Sequence, residues 1–320
     1  MNSNYNIPNY IEKYNVYDVF FNDDNQLIII MPYLKNPYNI EYITHDEKLL
    51  PFEFHNCPHN HTFIYSLTVE YNENIKIKIN DVILETYVNK YPTFKDEILF
   101  STIVKDEDDY IKTWIDYHLR LGISRFIIYD NSNRGTLSEI LDEYIKNNRV
   151  LLIKWTYPYR LDESGISGQT TQQNHSIYAF KNSKYIGLFD IDEYVNIQNH
   201  TKIDDFFEDL ITKDCIELEK ISSFRFLNRF FFNPNYLNDK DGNFLKIFSC
   251  DNITESGREK NFAIPKNVNT FAVHMVTSGK EMYNVDKKHG YFNHYCYLNK
   301  HDRGRENRDL IDESILLHLS

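Results

Sequence analysis

Two aspartates one residue apart, Asp190 and Asp192, close the apolar run Tyr185-Ile186-Gly187-Leu188-Phe189. The run has the length and apolarity of a buried central strand, whose side chains alternate between its two faces. Continued through Asp192, such a strand sets both carboxylates on one side and Ile191 on the other. Neighbouring carboxylates repel each other, and an oxygen-preferring divalent cation relieves that repulsion while leaving positions for diphosphate oxygens. The chemistry implied is Lewis-acid stabilisation of a departing phosphate group. The plain alternative is an acidic strand end facing water.

The elements around this doublet decide what it could serve. Ile98-Leu99-Phe100-Ser101-Thr102-Ile103-Val104 predicts a strand, and the acidic cluster Asp106 to Asp109 then opens a helix. Ile111, Trp114, Ile115, His118 and Leu121 fall at helical spacing, with Gly122 as the stop. Arg125 to Asp130 is the next strand, Leu137 to Ile145 a second helix, and Val150 to Trp155 a third strand. A polar loop, a helix over about Gln172 to Asn182 and the acid-tipped strand follow. Alternating strands and helices on short connections define an α/β class with a mostly parallel sheet, whose ligands gather at the carboxyl edge.

Lys105 and Asp106 follow the first of these strands, and Asp130 ends the second. Asp130 either accepts from a nucleoside or caps the turn before Ser132. Neither Gly-x-Gly-x-x-Gly nor Gly-x-x-x-x-Gly-Lys-Ser/Thr occurs, which argues against a dinucleotide oxidoreductase or a P-loop enzyme. The loop from Trp155 to Gly168, with Gly165 and Gly168 as hinges, is either a closing flap or an ordinary surface connection.

From residue 10 to residue 90 the pattern has period two. Val19-Phe20-Phe21 and Leu27-Ile28-Ile29-Ile30 flank Asn22-Asp23-Asp24-Asn25 as a hairpin, and Ile75, Ile77 and Ile79 alternate with Lys76, Lys78 and Asn80. A small antiparallel β domain over 1–95, packed through one face, is therefore expected ahead of an α/β domain over 96–320. His55, Cys57, His59 and His61 recur at every second position. Ligands so spaced on one strand diverge too far for one tetrahedral ion, and Pro58 interrupts the strand, so a polar loop is favoured over a structural metal.

Composition bounds the rest. Of 320 residues, 42% are hydrophobic and 15% aromatic, which is a folded globular composition. A net charge of -12 argues against nucleic acid as the main partner. No apolar run approaches the roughly 20 residues that span a bilayer, and the polar start Met1-Asn2-Ser3-Asn4 lacks a signal-peptide core. A soluble, cytoplasmic protein without a transmembrane segment is expected. Cys57, Cys215, Cys250 and Cys296 form no Cys-x-x-Cys pair, which suits a reducing compartment.

An ordered set of segments resembles glycosyltransferase family 92. It comprises Ile103-Val104-Lys105-Asp106-Glu107 with Tyr110, Trp114-Ile115-Asp116-Tyr117-His118 and Gly122, then Phe126 to Ser132, then Gln169 and Asn174. Phe189-Asp190-Ile191-Asp192-Glu193-Tyr194, Lys260 before Ile264-Pro265, Val273-His274 and His294-Tyr295 continue it. The resemblance implies a GT-A fold, Rossmann-like with a mostly parallel sheet and flanking helices. It further implies transfer of a hexose, usually galactose, from a UDP-sugar with inversion, onto a glycan, glycoprotein or glycolipid acceptor.

With that context, Mn2+ or Mg2+ falls on Asp190 and Asp192. His274 is the leading third ligand and His294 the second candidate, each with a structural role as its alternative. Lys105, Asp106, Asp130, Gln169, Asn174, Arg258 and Lys260 would contact the donor, and Glu193 is expected to be structural or donor-contacting. Asp251, Glu255 and Glu259 are the candidate bases for the acceptor hydroxyl. A degenerate transferase fold that only binds carbohydrate is the competing class, and a metal-dependent phosphoesterase, which needs more clustered ligands, is a third.

Overall fold

The computed structural model describes residues 5–57, 62–106, 110–160, 167–231, 245, 248–253, 257–295 and 310–319. Four parallel strands begin the central sheet: β1 (Ile98–Val104), β2 (Arg125–Asp130), β3 (Val150–Lys154) and β4 (Tyr185–Leu188). β5 (Ile221–Phe226), β6 (Lys260–Ala263) and β7 (Glu281–Asn284) complete it in the order β3-β2-β1-β4-β6-β5-β7. β6 runs antiparallel to both neighbours, and β7 is parallel to β5. After β1 the chain builds outward through β2 and β3, then returns to place β4 on the other side of β1. The order therefore reverses between β1 and β4, which opens a crevice at their carboxyl ends.

These strands are apolar on both faces because both faces are covered. On one side, helices α1 (Ile111–Leu121), α2 (Leu137–Ile140), α3 (Asp142–Lys146) and α5 (Ile203–Lys213) pack over Phe100, Phe126 and Ile128. Gly122 ends α1 with φ 102°, a left-handed cap that costs glycine little. The second predicted helix is broken at Leu141 into α2 and α3. At Gly187 an added Cβ would lie 2.2 Å from the Phe100 ring, so the glycine is what lets that ring cross β4.

The other face carries α4 (Ser167–Ala179) and, beyond it, the N-terminal strands. A five-stranded sheet runs in the order Glu53–Cys57, Thr62–Thr68, Gln26–Pro32, Asp18–Phe21 and Asn89–Lys90. A four-stranded sheet runs Leu49–Pro51, Ile40–Ile43, Asn74–Ile79 and Val82–Tyr87. The predicted hairpin is present, with Phe20 opposite Ile28, and the alternation of Ile75, Ile77 and Ile79 buries all three. The expectation of packing through one face needs correction. Val19, Phe21, Leu27 and Ile29 face the four-stranded sheet, while Phe20, Ile28 and Ile30 face α4, so the five-stranded sheet is covered on both sides.

α4 has no apolar stripe, yet every side chain described from Gly168 to Ala179 is buried. Several of its polar groups are held by individual partners. Thr171 bonds Thr62 at 3.0 Å, Gln172 donates to Ser101 at 2.8 Å, and Asn174 bridges Thr170 and Phe271. His175 lies between the Tyr129 hydroxyl at 2.7 Å and Asp18 at 3.0 Å. Among the described residues no helix is long and apolar enough to cross a membrane. Leu310 to Leu319 has the pattern of a short amphipathic helix, but it folds as a short strand at Leu310–Ile311 and a 3-10 turn at Ser314–His318.

Candidate active site

β4 stops at Leu188, and Asp190-Ile191-Asp192-Glu193 form a turn into the strand Glu193–Ile197. The doublet therefore sits on a bend beyond the sheet edge, which corrects the expectation that it continues the strand. Glu193 closes the bend: its amide donates to the Asp190 carbonyl at 3.1 Å, and its carboxylate accepts from the Asp190 amide at 2.9 Å. The buried Ile191 points into the core. The Trp114 indole donates to the Glu193 carbonyl and the Tyr117 hydroxyl to the Val195 carbonyl, so α1 holds the outgoing strand.

Charge is concentrated around this bend. Lys260, only 1% exposed at the start of β6, reaches Asp190 Oδ2 at 2.6 Å and Glu193 Oε2 at 3.0 Å. The strand Gly290–His294 pairs with Glu193–Ile197 and sets His294 opposite Glu193. His294 Nε2 lies 3.2 Å from Asp192 Oδ2, and its Nδ1 lies 3.7 Å from Glu193 Oε1. Gln169, at the start of α4, donates to Asp190 Oδ1 at 3.0 Å and accepts from the Tyr159 hydroxyl at 2.8 Å. Asp192, Glu193 and His294 are nearly fully buried, whereas the Asp190 side chain is 40% exposed.

The burial shows in the proton affinities. Partial desolvation works against ionisation of Asp190, but the charge and hydrogen bond of Lys260 outweigh it and hold the carboxyl below its ordinary range. Burial pushes Glu193 up to about 8 against the pull of Lys260. Burial likewise opposes the charge on Lys260, but Asp190 and Glu193 keep it firmly protonated.

A ligand atom from each of Asp192, Glu193 and His294 lies within 4.8 Å of the other two, the one such group with metal-holding geometry among the described residues. Two carboxylates and an imidazole form a donor set that suits Mn2+ or Mg2+, so the residues present fit a divalent cation. Of the predicted set, Asp192 belongs to this group, while Asp190 and His274 lie outside it. Asp190 is turned to Lys260 and Gln169. His274 sits in a hairpin turn, where its Nδ1 lies 3.1 Å from the Glu259 carbonyl. Burial and then the nearby Lys260 charge lower its pKa to about 4, which keeps the imidazole neutral.

The other predicted residues scatter. Lys105 and Asp106 are exposed past the end of β1, and Asp106 has Arg134 at 3.7 Å. Asp130 is enclosed: Oδ1 accepts from the Ser132 amide and hydroxyl, and Oδ2 from Tyr5 at 2.7 Å and Lys154 at 3.0 Å. Of its two expected roles, this geometry is that of the turn cap. Asn174 clamps Phe271 in both directions and does not reach the bend. Arg258 is partly exposed, and Glu259 is buried under Arg225 at 2.9 Å. The Asp251 amide donates to the Phe230 carbonyl, and Glu255 lies outside the described residues. His55 has Glu53 at 3.6 Å, Cys57 Sγ has Thr277 Oγ1 at 3.3 Å, and neither joins the metal-type group; His59 and His61 lie outside the described residues.

Sequence reasoning underrated Glu193 and His294 as a pair and missed Arg225 altogether. Adjacency to the doublet pointed to Glu193, but nothing local couples it to a histidine a hundred residues later.

Fold and site together define a GT-A type α/β protein, with an acid bend at the switch point of a mostly parallel sheet and a β layer preceding it. The chain belongs to glycosyltransferase family 92, whose profile matches residues 98–316. A family 92 protein of Ricinus communis is 23% identical over 221 residues, covering 67% of this chain and 37% of that protein. One from Oryza sativa subsp. japonica is 23% identical over 116 residues, covering 36% of this chain and 19% of the relative. The chain thus spans little more than a third of the curated relatives' length at most. Among solved structures, TarS of S. aureus aligns with TM-score 0.35 and 10% identity, over 62% of this chain and 36% of its own.

Proposed function

We propose that this chain is a metal-dependent glycosyltransferase that moves a hexose, most simply galactose, from a UDP-sugar to a hydroxyl of a glycan, glycoprotein or glycolipid, with inversion. The observation that carries the reading is the convergence of Asp192, Glu193 and His294 beside the Lys260–Asp190 pair, at the edge where the strand order reverses. A divalent cation bound there supplies Lewis-acid neutralisation of the leaving diphosphate. The chain's own groups do the rest. Lys260 and Gln169 orient Asp190, and Lys105, past the end of β1, would contact the nucleotide. Asp251 or Glu255 takes the acceptor proton, since Glu259 is already tied to Arg225.

The test is UDP release from a panel of UDP-hexoses with an acceptor array, together with calorimetry of UDP with and without Mn2+. Mn2+-dependent UDP binding and release from at least one donor is the expected outcome. UDP binding without turnover on any donor would favour a carbohydrate-binding protein, and phosphate release in place of UDP would favour a phosphoesterase.

A further inference from the structure

The acid bend holds three carboxylates, and one cation already belongs to the chain. Lys260 Nζ is 2.6 Å from Asp190 Oδ2 and 3.0 Å from Glu193 Oε2, in a position only 1% exposed. The two Glu193 oxygens face opposite ways, since Oε2 meets Lys260 while Oε1 lies on the His294 side at 3.7 Å. Asp192 has its Oδ2 on that same side, 3.2 Å from His294. The bend is therefore divided into an Asp190 half closed by an ammonium group and an Asp192 half built of ligand types.

We propose that this is a two-cation site: Lys260 is the permanent cation, holding Asp190 and one oxygen of Glu193, and a divalent ion takes only Asp192, His294 and the other Glu193 oxygen. The inference rests on the functional reading above and refines it, because it removes Asp190 from the metal's first contacts. It follows from elementary electrostatics. Lys260 is the buried partner of both Asp190 and Glu193, and its departure would leave the Asp190 charge without its close ammonium, so the ion cannot displace it cheaply. A divalent ion placed across Glu193 from Lys260 is repelled by it in a poorly screened environment, so Lys260 lowers the affinity of the site. In exchange Lys260 holds the bend in its shape when no ion is present.

The experiment is Mn2+ binding to the full chain, by calorimetry and by the electron paramagnetic resonance signal of free Mn2+. Lys260→Met is expected to bind Mn2+ at least about tenfold tighter than the wild type, because Asp190 and Glu193 are released to the ion and the repulsion is gone. In the wild-type background, Asp190→Asn should shift Mn2+ affinity by no more than about threefold, and Asp192→Asn should weaken it at least about tenfold. Unchanged or weaker binding in Lys260→Met, or equal losses in the two Asn variants, would overturn the proposal. If Lys260→Met does not fold, the contrast between Asp190→Asn and Asp192→Asn decides alone. UDP release is read separately: a wild type that turns over donor while the Mn2+ contrasts are flat defeats the two-cation site only. A wild type that shows the contrasts and releases no UDP defeats the functional reading only.

Discussion

α4 touches two buried clusters of the same residue types, and they are built for opposite ends. Around His175, Asp18 accepts from the amides of Asn9 and Val19 and from Asn89 Nδ2, Tyr91 and His175, while Tyr129 fills the far imidazole nitrogen. His175, Asp18, and Tyr129 are all fully enclosed. Six residues earlier, roughly 9 Å along the helix axis, Gln169 touches Asp190 in a cluster whose leading carboxylate is 40% exposed. Histidine and aspartate in a fully closed ring of partners tie one layer to another. The same types with one open side can take a ligand.

The sharpest way to break this contrast is at the open cluster. Asp192→Ala should cut UDP release from the preferred donor by at least about 10³-fold, with the melting temperature little changed. Activity near the wild type would erase the distinction. The closed cluster should respond inversely. Asp18→Ala leaves His175, Tyr91 and two buried amides facing a void, and urea denaturation should record a loss of about 3–5 kcal/mol, while Mn2+ affinity of the folded protein stays the same.

A smaller effect comes from a third enclosed histidine. His118 Nδ1 donates to the Trp114 carbonyl at 2.8 Å and Nε2 accepts from the Val195 amide at 3.3 Å, and burial lowers its pKa to about 3. The unfolded chain takes up that proton near pH 6.5 and the folded chain does not until about 3, so this share of stability is complete above pH 6.5 and declines as pH falls. Between pH 7 and pH 5 the expected loss from this group is about 2 kcal/mol. The urea midpoint should drop over that interval, and the drop should be blunted in His118→Gln.

Much of the frame was legible because it is periodic. The strand at Ile98–Val104, the helix closed by Gly122 and the Ile75-Ile77-Ile79 alternation follow from local pattern alone. α4 was harder, because Gly168-Gln169-Thr170-Thr171-Gln172-Gln173-Asn174-His175 has no apolar period to mark where a helix begins. Its start at Ser167 depends on partners in both neighbouring sheets. At the site, residue type located the doublet, but geometry came from distant segments. Lys260 pairs with Asp190 across 70 positions and His294 with Asp192 across 102. The strand was expected to run through Asp192 because nothing local shows that Glu193 folds back onto the Asp190 amide.

The all-round burial of α4 carries a consequence for how the acid bend is kept true. A helix with no greasy side has no preferred rotation of its own against a single wall; its roll is set only when both walls grip it. The inner wall offers Ser101 and Tyr129, the outer one Thr62 and Asp18, and Gln169 at the helix's leading end hands the resulting alignment to Asp190. Residues near the start of the chain thus act as a trueing jig for an aspartate some 170 positions downstream.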